Sequence, residues 1–432
     1  MAPPLPLVVL VFLAVTTVVQ LSAAAGAGAP VVFPKEAMPT KSGYLPIPPA
    51  NASLFFAFYE ASDPVTPPAS TPLLLWLQGG PGCSGLLGNF FELGPYFVNP
   101  DGETLRRNPF AWNRRFCLLF IDSPLGTGFS AAPSPADIPT NQSVVAALQS
   151  FYALDPSLRA RPLFLTGESY AGKYVPAAGA HILDANAALP EALRVNLRGV
   201  AIGNGLTHPV AQVATHADSA YFLGLVNARQ RRELEALQSV AVSLTLAERW
   251  NMTGLATLYD YAKQRAYATD AVGAFLNRAE AKAALGARGD VAWADCSDAV
   301  FAAMNGDVMR NVRPQVESLL RRGRRATRVL LYQGVRDLRD GVVSTEAWLA
   351  GVRWDGLRAF LDAQRAVWRT GDGELAGYVQ RSGALAHVVV YGAGHLVPAD
   401  NGRAALEMIE GWVLGTGLFG SRGGGNGRRR AA

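Results

Sequence analysis

Short runs of apolar residues recur along the chain, each bounded by turn-forming residues. Runs that are apolar at every position are typical of strands buried on both faces of a parallel sheet. Because helical patterns and loops alternate with these runs, the sequence predicts an α/β fold with a mostly parallel central sheet. The predicted strands are residues 73–77, 116–121, 163–166, 200–202, 329–332 and 387–391.

The interval from residue 204 to about residue 328 carries no strong strand pattern. Ala-rich and charged stretches with helical periodicity occupy it, among them 227–248 and 280–285. We therefore expect a helical cap inserted between two strands of the core. The expected division is a core of residues 26–205 and 312–420, a cap of 206–311, a last helix over 403–413 and a disordered Gly- and Arg-rich tail of 421–432.

The N-terminus is apolar from Leu5 to Val19 and then turns to small residues. This pattern is typical of a secretory signal peptide with A-x-A-like cleavage choices, although the first residues include prolines and no Lys or Arg. The apolar run is short for a membrane span of ~20 residues. We expect residues 1–25 to be a signal peptide, no stable membrane anchor, and a secretory-pathway protein of the vacuole or the extracellular space.

Three N-glycosylation sequons agree with this route, because such sites are used only in chains that enter the secretory pathway. The acceptor residues are Asn51, Asn141 and Asn251.

The chain has three cysteines, which allow one disulfide in an oxidising compartment. Cys117 lies inside the apolar run 116–121, where a free thiol behaves as a small apolar residue. We therefore expect the disulfide to join Cys83 and Cys296.

Composition limits the classes of function. The chain has 432 residues, of which 50% are hydrophobic and 17% charged, so a large core is available. The formal net charge is +5. A nucleic-acid surface would interleave basic with aromatic residues, but the densest basic runs, 321–325 and 428–430, contain no aromatic residue. We expect no nucleic-acid partner.

The segment 167–172, Gly-Glu-Ser-Tyr-Ala-Gly, lies between a predicted strand and a predicted helix over 173–183. A serine on a sharp strand-to-helix turn presents its hydroxyl above the sheet edge, as a nucleophile elbow does. The usual pattern is G-x-S-x-G, and its last place is taken here by Ala171. The acid Glu168 directly precedes the candidate nucleophile Ser169. An ordinary esterase needs no carboxylate at this position. Glu168 is therefore interpreted as a residue that recognises the substrate.

A serine nucleophile needs a base that takes its proton and an acid that orients the base. Among five histidines, only His395 follows a late predicted strand within a glycine-rich turn, whereas His387 begins that strand. The acid is expected where the preceding strand ends. Asp337 is nearer to the end of that strand and is the expected acid, with Asp340 as the alternative. Position in the sequence alone distinguishes the two only weakly.

Backbone N–H groups that stabilise an oxyanion often come from a loop after an early core strand. Residues 76–85, Trp-Leu-Gln-Gly-Gly-Pro-Gly-Cys-Ser-Gly, form such a loop in the sequence. Its glycines let bare backbone approach a substrate, and its proline fixes the course of the chain.

Four ordered blocks, residues 76–85, 167–176, 332–349 and 392–398, resemble the serine carboxypeptidases. The chain is most similar to the plant serine carboxypeptidase-like and the vitellogenic-like groups, over about residues 42–418. The resemblance implies an α/β-hydrolase core with a helical cap. It also implies peptide hydrolysis without cofactor or metal, in which an acyl-enzyme forms and one C-terminal residue is released at a time.

The resemblance also implies roles for individual residues. Ser169, Asp337 and His395 would form the catalytic triad. The N–H groups of Gly80 and Tyr170 would form the oxyanion hole.

The terminal carboxylate of the peptide would be bound by Gln78, Gly79 and Glu168. The family commonly has asparagine at the place of Gln78, and Arg336, beside the expected acid, would favour the ionised form of that acid. Two carboxyl groups held close can share a proton, which raises the pKa of the pair. We therefore expect Glu168 to be protonated when substrate is bound, and peptidase activity to be favoured at acidic pH.

The main alternative is an acyltransferase that uses sugar-ester acyl donors on the same scaffold. Relatives with that activity tend to carry aspartate at the place of Glu168 and serine at the place of Ala171. A non-catalytic binding protein and a general esterase are weaker alternatives, because every triad position is filled and Glu168 would have no role. Peptide or protein C-termini are therefore the expected substrates.

Overall fold

The computed structural model describes residues 33–47, 52–130, 142–246, 259–263, 267–322 and 327–420. The predicted signal peptide, the predicted disordered tail and the acceptor residues Asn51, Asn141 and Asn251 lie outside these residues. No helix within the described ranges is long and apolar enough to cross a membrane.

The strands of the described residues are β1 Lys41–Ile47, β2 Ala52–Tyr59, β3 Leu73–Leu77, β4 Tyr96–Val98, β5 Leu105–Arg107, β6 Cys117–Ile121, β7 Leu163–Glu168, β8 Leu197–Gly203, β9 Arg328–Gly334, β10 Ala366–Arg369, β11 Leu375–Ser382 and β12 Leu385–Val390. Ten of them form one sheet in the order β1-β2-β6-β3-β7-β8-β9-β12-β11-β10, and β4 pairs with β5. The strands from β6 to β12 in this order pair in parallel, and both edges of the sheet are antiparallel.

The parallel strands correspond to the six predicted from apolar runs, and the predicted α/β class is confirmed. Each of these strands is buried along nearly its whole length. The edge strands were not predicted. β1, β10 and β11 include exposed positions and so lack a continuous apolar run. β2 is apolar enough to have been predicted and was missed.

The helices of the described residues are α1 Gln142–Leu154, α2 Ala171–Ala188, α3 Pro209–Val213, α4 His216–Phe222, α5 Ala228–Leu246, α6 Asp270–Leu276, α7 Ala279–Leu285, α8 Asp298–Met304, α9 Arg313–Arg322, α10 Val342–Leu349, α11 Leu357–Leu361, α12 Val397–Asp400 and α13 Gly402–Leu414. A short helical segment, Gly85–Leu87, continues as the wider turn Gly88–Leu93. Single 3₁₀ turns cover Lys35–Ala37, Pro68–Ser70, Trp112–Arg114, Pro156–Ala160, Glu191–Leu193, Asn305–Asp307 and Gly417–Phe419.

Apolar side chains fill a layer on each face of the sheet. Successive residues of a strand point to opposite faces, so Leu75 of β3 joins one layer and Trp76 joins the other. The first layer packs against α1, α2 and α9, and the second against α6, α7 and α13. Helices on both faces explain why the central strands are apolar at every position.

The described residues between β8 and β9 form helices and no strand. This helical segment is tied to the loop after β3 by the disulfide Cys83–Cys296, which confirms the predicted pairing. Two backbone hydrogen bonds flank it, from Ser84 N to Asp295 O at 2.8 Å and from Ser297 N to Gly82 O at 2.9 Å. Cys117 is buried without a disulfide partner, as expected.

The disulfide closes a long loop, because its cysteines are 213 residues apart. The double substitution Cys83→Ser with Cys296→Ser should therefore lower the free energy of unfolding by about 2 to 5 kcal/mol, chiefly by freeing the unfolded chain. Chemical denaturation monitored by fluorescence measures this change. Cys117→Ser, which keeps a donor for the Glu60 carboxylate 2.9 Å away, is the control and should cost far less. Equal losses in both variants would contradict the expectation.

Candidate active site

Ser169 lies at the turn between β7 and α2, where the sequence placed a nucleophile elbow. Its φ is +60°, in the left-handed region that residues other than glycine rarely adopt. Hydrogen bonds hold the turn from the side of β8: Ser169 N donates to Gly203 O, and Leu206 N donates to Ser169 O, both at 2.9 Å. The serine is thus fixed in a strained turn at the carboxyl edge of the sheet.

Small residues around this turn are a steric requirement. A Cβ on Gly79, in the loop after β3, would lie 2.5 Å from Ser169 Cβ and 2.8 Å from Tyr170 N. No side chain fits in that space, so the backbone of this loop lies directly against the backbone of the elbow. The structure therefore brings the predicted oxyanion loop, which includes Gly80, next to Ser169 and Tyr170.

His395 lies on the loop after β12 and contacts an acid on the loop after β9. The distance from His395 Nδ1 to Asp337 Oδ2 is 2.7 Å. The other oxygen of Asp337 accepts backbone N–H groups of Arg339 and Asp340, at 2.8 and 3.2 Å. Of the two candidate acids, Asp337 is the one that is hydrogen bonded to the histidine.

The alternative acid has a different environment. Asp340 accepts a hydrogen bond from Gln212 Nε2 at 2.9 Å, and burial raises its pKa to about 6. The guanidinium of Arg336 lies 4.0 Å from Asp260 Oδ2. The expected effect of Arg336 on Asp337 stays a prediction.

His395 Nε2, on the opposite edge of the ring, is buried and has no hydrogen-bond partner among the described residues. The ring contacts the Tyr259 ring in a tilted arrangement, with 4.3 Å between centroids, and the backbone N–H of His395 donates to Tyr259 O at 2.7 Å. A neutral imidazole whose Nδ1–H is held by a carboxylate presents Nε2 as a proton acceptor. This nitrogen can therefore act as a base.

A second polar cluster lies at the ends of β3 and β7. Gln78 Nε2 donates to Glu168 Oε1 at 2.9 Å and to Glu92 Oε1 at 3.0 Å. Gln78 Oε1 accepts the indole N–H of Trp76 at 2.7 Å. All three polar side chains at the centre of the cluster are buried, with exposures of 4% for Gln78, 1% for Glu92 and 0% for Glu168.

Burial in this cluster favours the neutral form of both carboxyl groups. It raises the pKa of Glu92 from 4.5 to about 7. It raises the pKa of Glu168 well above its usual range, and the charge of Glu92 raises it further. Within the part of the chain that the structure describes, Glu92 Oε2 and Glu168 Oε2 are buried without a hydrogen-bond partner, so the cluster has unused capacity to bind a polar group.

Two residues of the site were missed in the sequence. Glu92 is the single acid in the stretch Asn-Phe-Phe-Glu-Leu, residues 89–93, and an acid in such an apolar stretch was a signal that could have been used. Asn204, directly after β8, donates through Nδ2 to Asp337 Oδ2 at 2.6 Å. No pattern in the sequence marks it.

Comparison with known proteins identifies the family. A family model described as serine carboxypeptidase matches residues 30–249 and 252–415. The chain belongs to this family. It is 53% identical over 414 residues to serine carboxypeptidase-like 50 of Arabidopsis thaliana, covering 91% of each chain. It is 34% identical to the venom serine carboxypeptidase of Apis mellifera, covering 87% of this chain and 84% of that protein.

A solved structure of the same class agrees with the fold. The prohormone-processing carboxypeptidase Kex1 of Saccharomyces cerevisiae superimposes with a TM-score of 0.75 at 23% identity, covering 88% of this chain and 93% of that one. The family model and the relatives confirm the resemblance inferred from the four sequence blocks, and the solved structure confirms the α/β-hydrolase fold. The protein is a serine carboxypeptidase-type hydrolase.

The raised pKa of Glu92 makes stability depend on pH. Its carboxyl keeps a proton in the folded state up to about pH 7 but only to about 4.5 when unfolded, so this stabilising contribution is full below 4.5 and is lost as pH rises through 7. Glu92→Gln removes this contribution. The melting temperature of this variant should rise relative to wild type as pH goes from 5 to 7.5.

Thermal unfolding across this pH range measures the difference between the two proteins. Glu191→Gln, at an exposed position, is the matched control and should follow wild type. Parallel curves for wild type and Glu92→Gln would show that the buried carboxyl is not the origin of the dependence.

Proposed function

We propose that this protein is a serine-type carboxypeptidase that removes single C-terminal residues from peptides through an acyl-enzyme. The observation that carries the proposal is the buried cluster of Gln78, Glu92 and Glu168 beside the elbow. Glu168 directly precedes Ser169 in the chain, so a group bound by the cluster lies close to the nucleophile. Hydrolysis of an ordinary ester needs no such cluster.

Ser169 is proposed as the nucleophile. Its hydroxyl attacks the carbonyl carbon of the last peptide bond and gives its proton to His395 Nε2. Asp337 holds Nδ1–H, keeps the ring in the required tautomer and stabilises the imidazolium that forms. Backbone N–H groups of Gly80 and Tyr170 are proposed to stabilise the oxyanion, supported by the close packing of their two loops.

Collapse of the tetrahedral intermediate breaks the peptide C–N bond. His395 Nε2 returns its proton to the leaving amine, and the last residue departs as a free amino acid. The shortened peptide stays as an ester of Ser169. Water then attacks this ester with His395 again as the base, and the peptide is released.

The terminal carboxylate of the substrate is proposed to bind Gln78, the backbone of Gly79, Glu92 and Glu168. An ionised carboxylate would repel the substrate, whereas a protonated carboxyl donates a hydrogen bond to it. The raised pKa values of Glu92 and Glu168 support this arrangement, since burial keeps protons on the cluster under acidic conditions. A substrate without a free C-terminus would leave the cluster unpaired.

We expect binding of peptides to weaken as pH rises. Below about pH 7 the cluster retains protons that it can donate, and above this range a bound carboxylate meets negative charge. The KM for a blocked dipeptide should therefore rise from pH 5 to pH 8 in the wild type. The double variant Glu92→Gln with Glu168→Gln keeps a donor at both positions at all pH values, so its KM should change much less over the same range.

Steady-state kinetics on a blocked dipeptide at several pH values measures this effect, with the same peptide carrying a C-terminal amide as the substrate control. Labelling by an organophosphonate reports whether Ser169 remains reactive in each variant, and Ser169→Ala gives the background. A wild-type KM that stays flat from pH 5 to pH 8 would contradict the mechanism.

Assays on the same enzyme preparation distinguish the acyltransferase alternative from the peptidase proposal. Transfer from a glucose ester to an alcohol, with no release of amino acid from blocked dipeptides, would overturn the peptidase proposal. Failure of the phosphonate to label Ser169 would instead favour a protein without catalysis.

We further propose that residues 1–25 are a signal peptide, that Asn51, Asn141 and Asn251 carry glycans, and that residues 206–311 form a cap over the core. An acidic vacuole or an acidic extracellular space suits the proposed proton requirement.

Glycosidase treatment of protein made in plant cells should increase its electrophoretic mobility, and replacement of the three asparagines by glutamine should abolish this shift.

A further inference from the structure

The turn after β8 contacts two parts of the active site that are far apart in the sequence. On one side, Gly203 O accepts the N–H of Ser169 and Leu206 N donates to the carbonyl of Ser169, both at 2.9 Å. On the other side, Asn204 N donates to Tyr332 O of β9 at 2.9 Å. Asn204 is fully buried.

The Asn204 side chain extends this link to the acid. Its Nδ2 donates to Asp337 Oδ2 at 2.6 Å, and its Oδ1 accepts the N–H of Gly334 at 3.1 Å. Asp337 Oδ2 is also the oxygen that contacts His395 Nδ1. One amide therefore uses both of its polar ends to hold the loop that carries the acid, from a turn that also holds the nucleophile.

We propose that Asn204 is a positioning residue of this hydrolase, which sets the placement of the Asp337–His395 pair relative to Ser169. The end of an aspartate side chain rotates within a broad torsional well. With backbone donors on Oδ1 and the Asn204 amide on Oδ2, the carboxylate has one orientation in which Oδ2 faces the imidazole. The proposal rests on the triad roles proposed above and assigns the residue that aligns the members of the triad.

The backbone at this position restricts the residue type. Asn204 has a φ of +39°, in the left-handed region that Gly and Asn adopt more readily than other residues. Glycine supplies that backbone but no donor. Aspartate has nearly the same shape but presents a carboxylate where the amide donates. These two substitutions separate the backbone requirement from the hydrogen bond.

The variant Asn204→Gly should lower kcat by about 10- to 100-fold, because misplacement of a catalytic group by a fraction of an ångström to 1 Å has effects of this size. The KM for a blocked dipeptide should change little, since the side-chain hydrogen bonds of Asn204 go to Asp337 and Gly334 and not to the carboxylate cluster. Such a split between kcat and KM indicates the loss of an interaction needed for the chemical step.

The variant Asn204→Asp adds a test that depends on pH. At neutral pH the introduced carboxylate repels Asp337, so kcat should fall at least as far as in Asn204→Gly. As pH falls, a protonated carboxyl can donate as the amide does, and the ratio of variant to wild-type kcat should rise. The charged and titratable groups that interact with Asp337, the partner of this position, are Arg339, Asp340, His216 and His395, which both proteins share.

Thr207→Val is the matched control. Thr207 lies three residues along the same turn, is fully buried, and donates through Oγ1 to Gly172 O at 3.2 Å without contacting the triad. Melting temperatures and titration of active sites with an organophosphonate show whether each variant is folded. The control should lose stability while keeping wild-type kcat.

Two outcomes would overturn the proposal. Wild-type kcat in folded Asn204→Gly would show that only the backbone of the turn matters. An Asn204→Asp variant whose kcat relative to wild type is the same from pH 5 to pH 8 would show that the contact with Asp337 is not used. Absence of peptidase activity in the wild-type protein would instead refute the proposed function.

Discussion

The strained turn at Ser169 is the constraint on which the rest of the site depends. A left-handed backbone at a serine persists only where its surroundings hold it there. Here the bare backbone of Gly79 presses from the side of β3, and the turn after β8 binds both polar backbone groups of the serine. The strands on either side of β7 thus each contribute a loop that is held against the elbow. The loop after β3 carries Gln78 and Gly80, and the turn after β8 carries Asn204.

Burial then determines the chemistry of these groups. The loop that presses on the elbow begins with Gln78, whose amide lies between two carboxyl groups that water does not reach. Removal from water makes their ionised forms unfavourable. By contrast, Asp337 accepts hydrogen bonds on both oxygens. The site therefore contains two kinds of acid. Glu92 and Glu168 have too few hydrogen-bond donors to stabilise an ionised carboxylate, whereas Asp337 has enough.

The sequence predicted the parallel centre of the sheet because burial on both faces forces every position to be apolar, as in β3 and β6. It did not predict the edges, where β1 and β11 mix exposed with buried positions. Cys83 was paired correctly because Cys117 lies within a buried strand. These inferences needed only local pattern.

The candidate site was predictable where a short motif fixes the geometry. Ser169 and His395 each lie in a glycine-rich turn directly after a strand. Position alone left Asp337 and Asp340 unresolved, because the choice depends on which carboxylate reaches His395 across the sheet edge. Glu92 and Asn204 act through contacts between segments distant in the chain, which a single sequence does not record.

The contact between Trp76 and Gln78 gives the carboxyl cluster a direction. An indole N–H can only donate, so the amide must turn its oxygen toward Trp76 and its nitrogen toward Glu92 and Glu168. A residue of the apolar layer therefore decides which end of the Gln78 amide faces the two buried carboxyl groups. The orientation of this amide originates in the packing of the core. A flipped amide would place its oxygen against the carboxyl oxygens of Glu92 and Glu168, and its NH2 group against the indole N–H of Trp76.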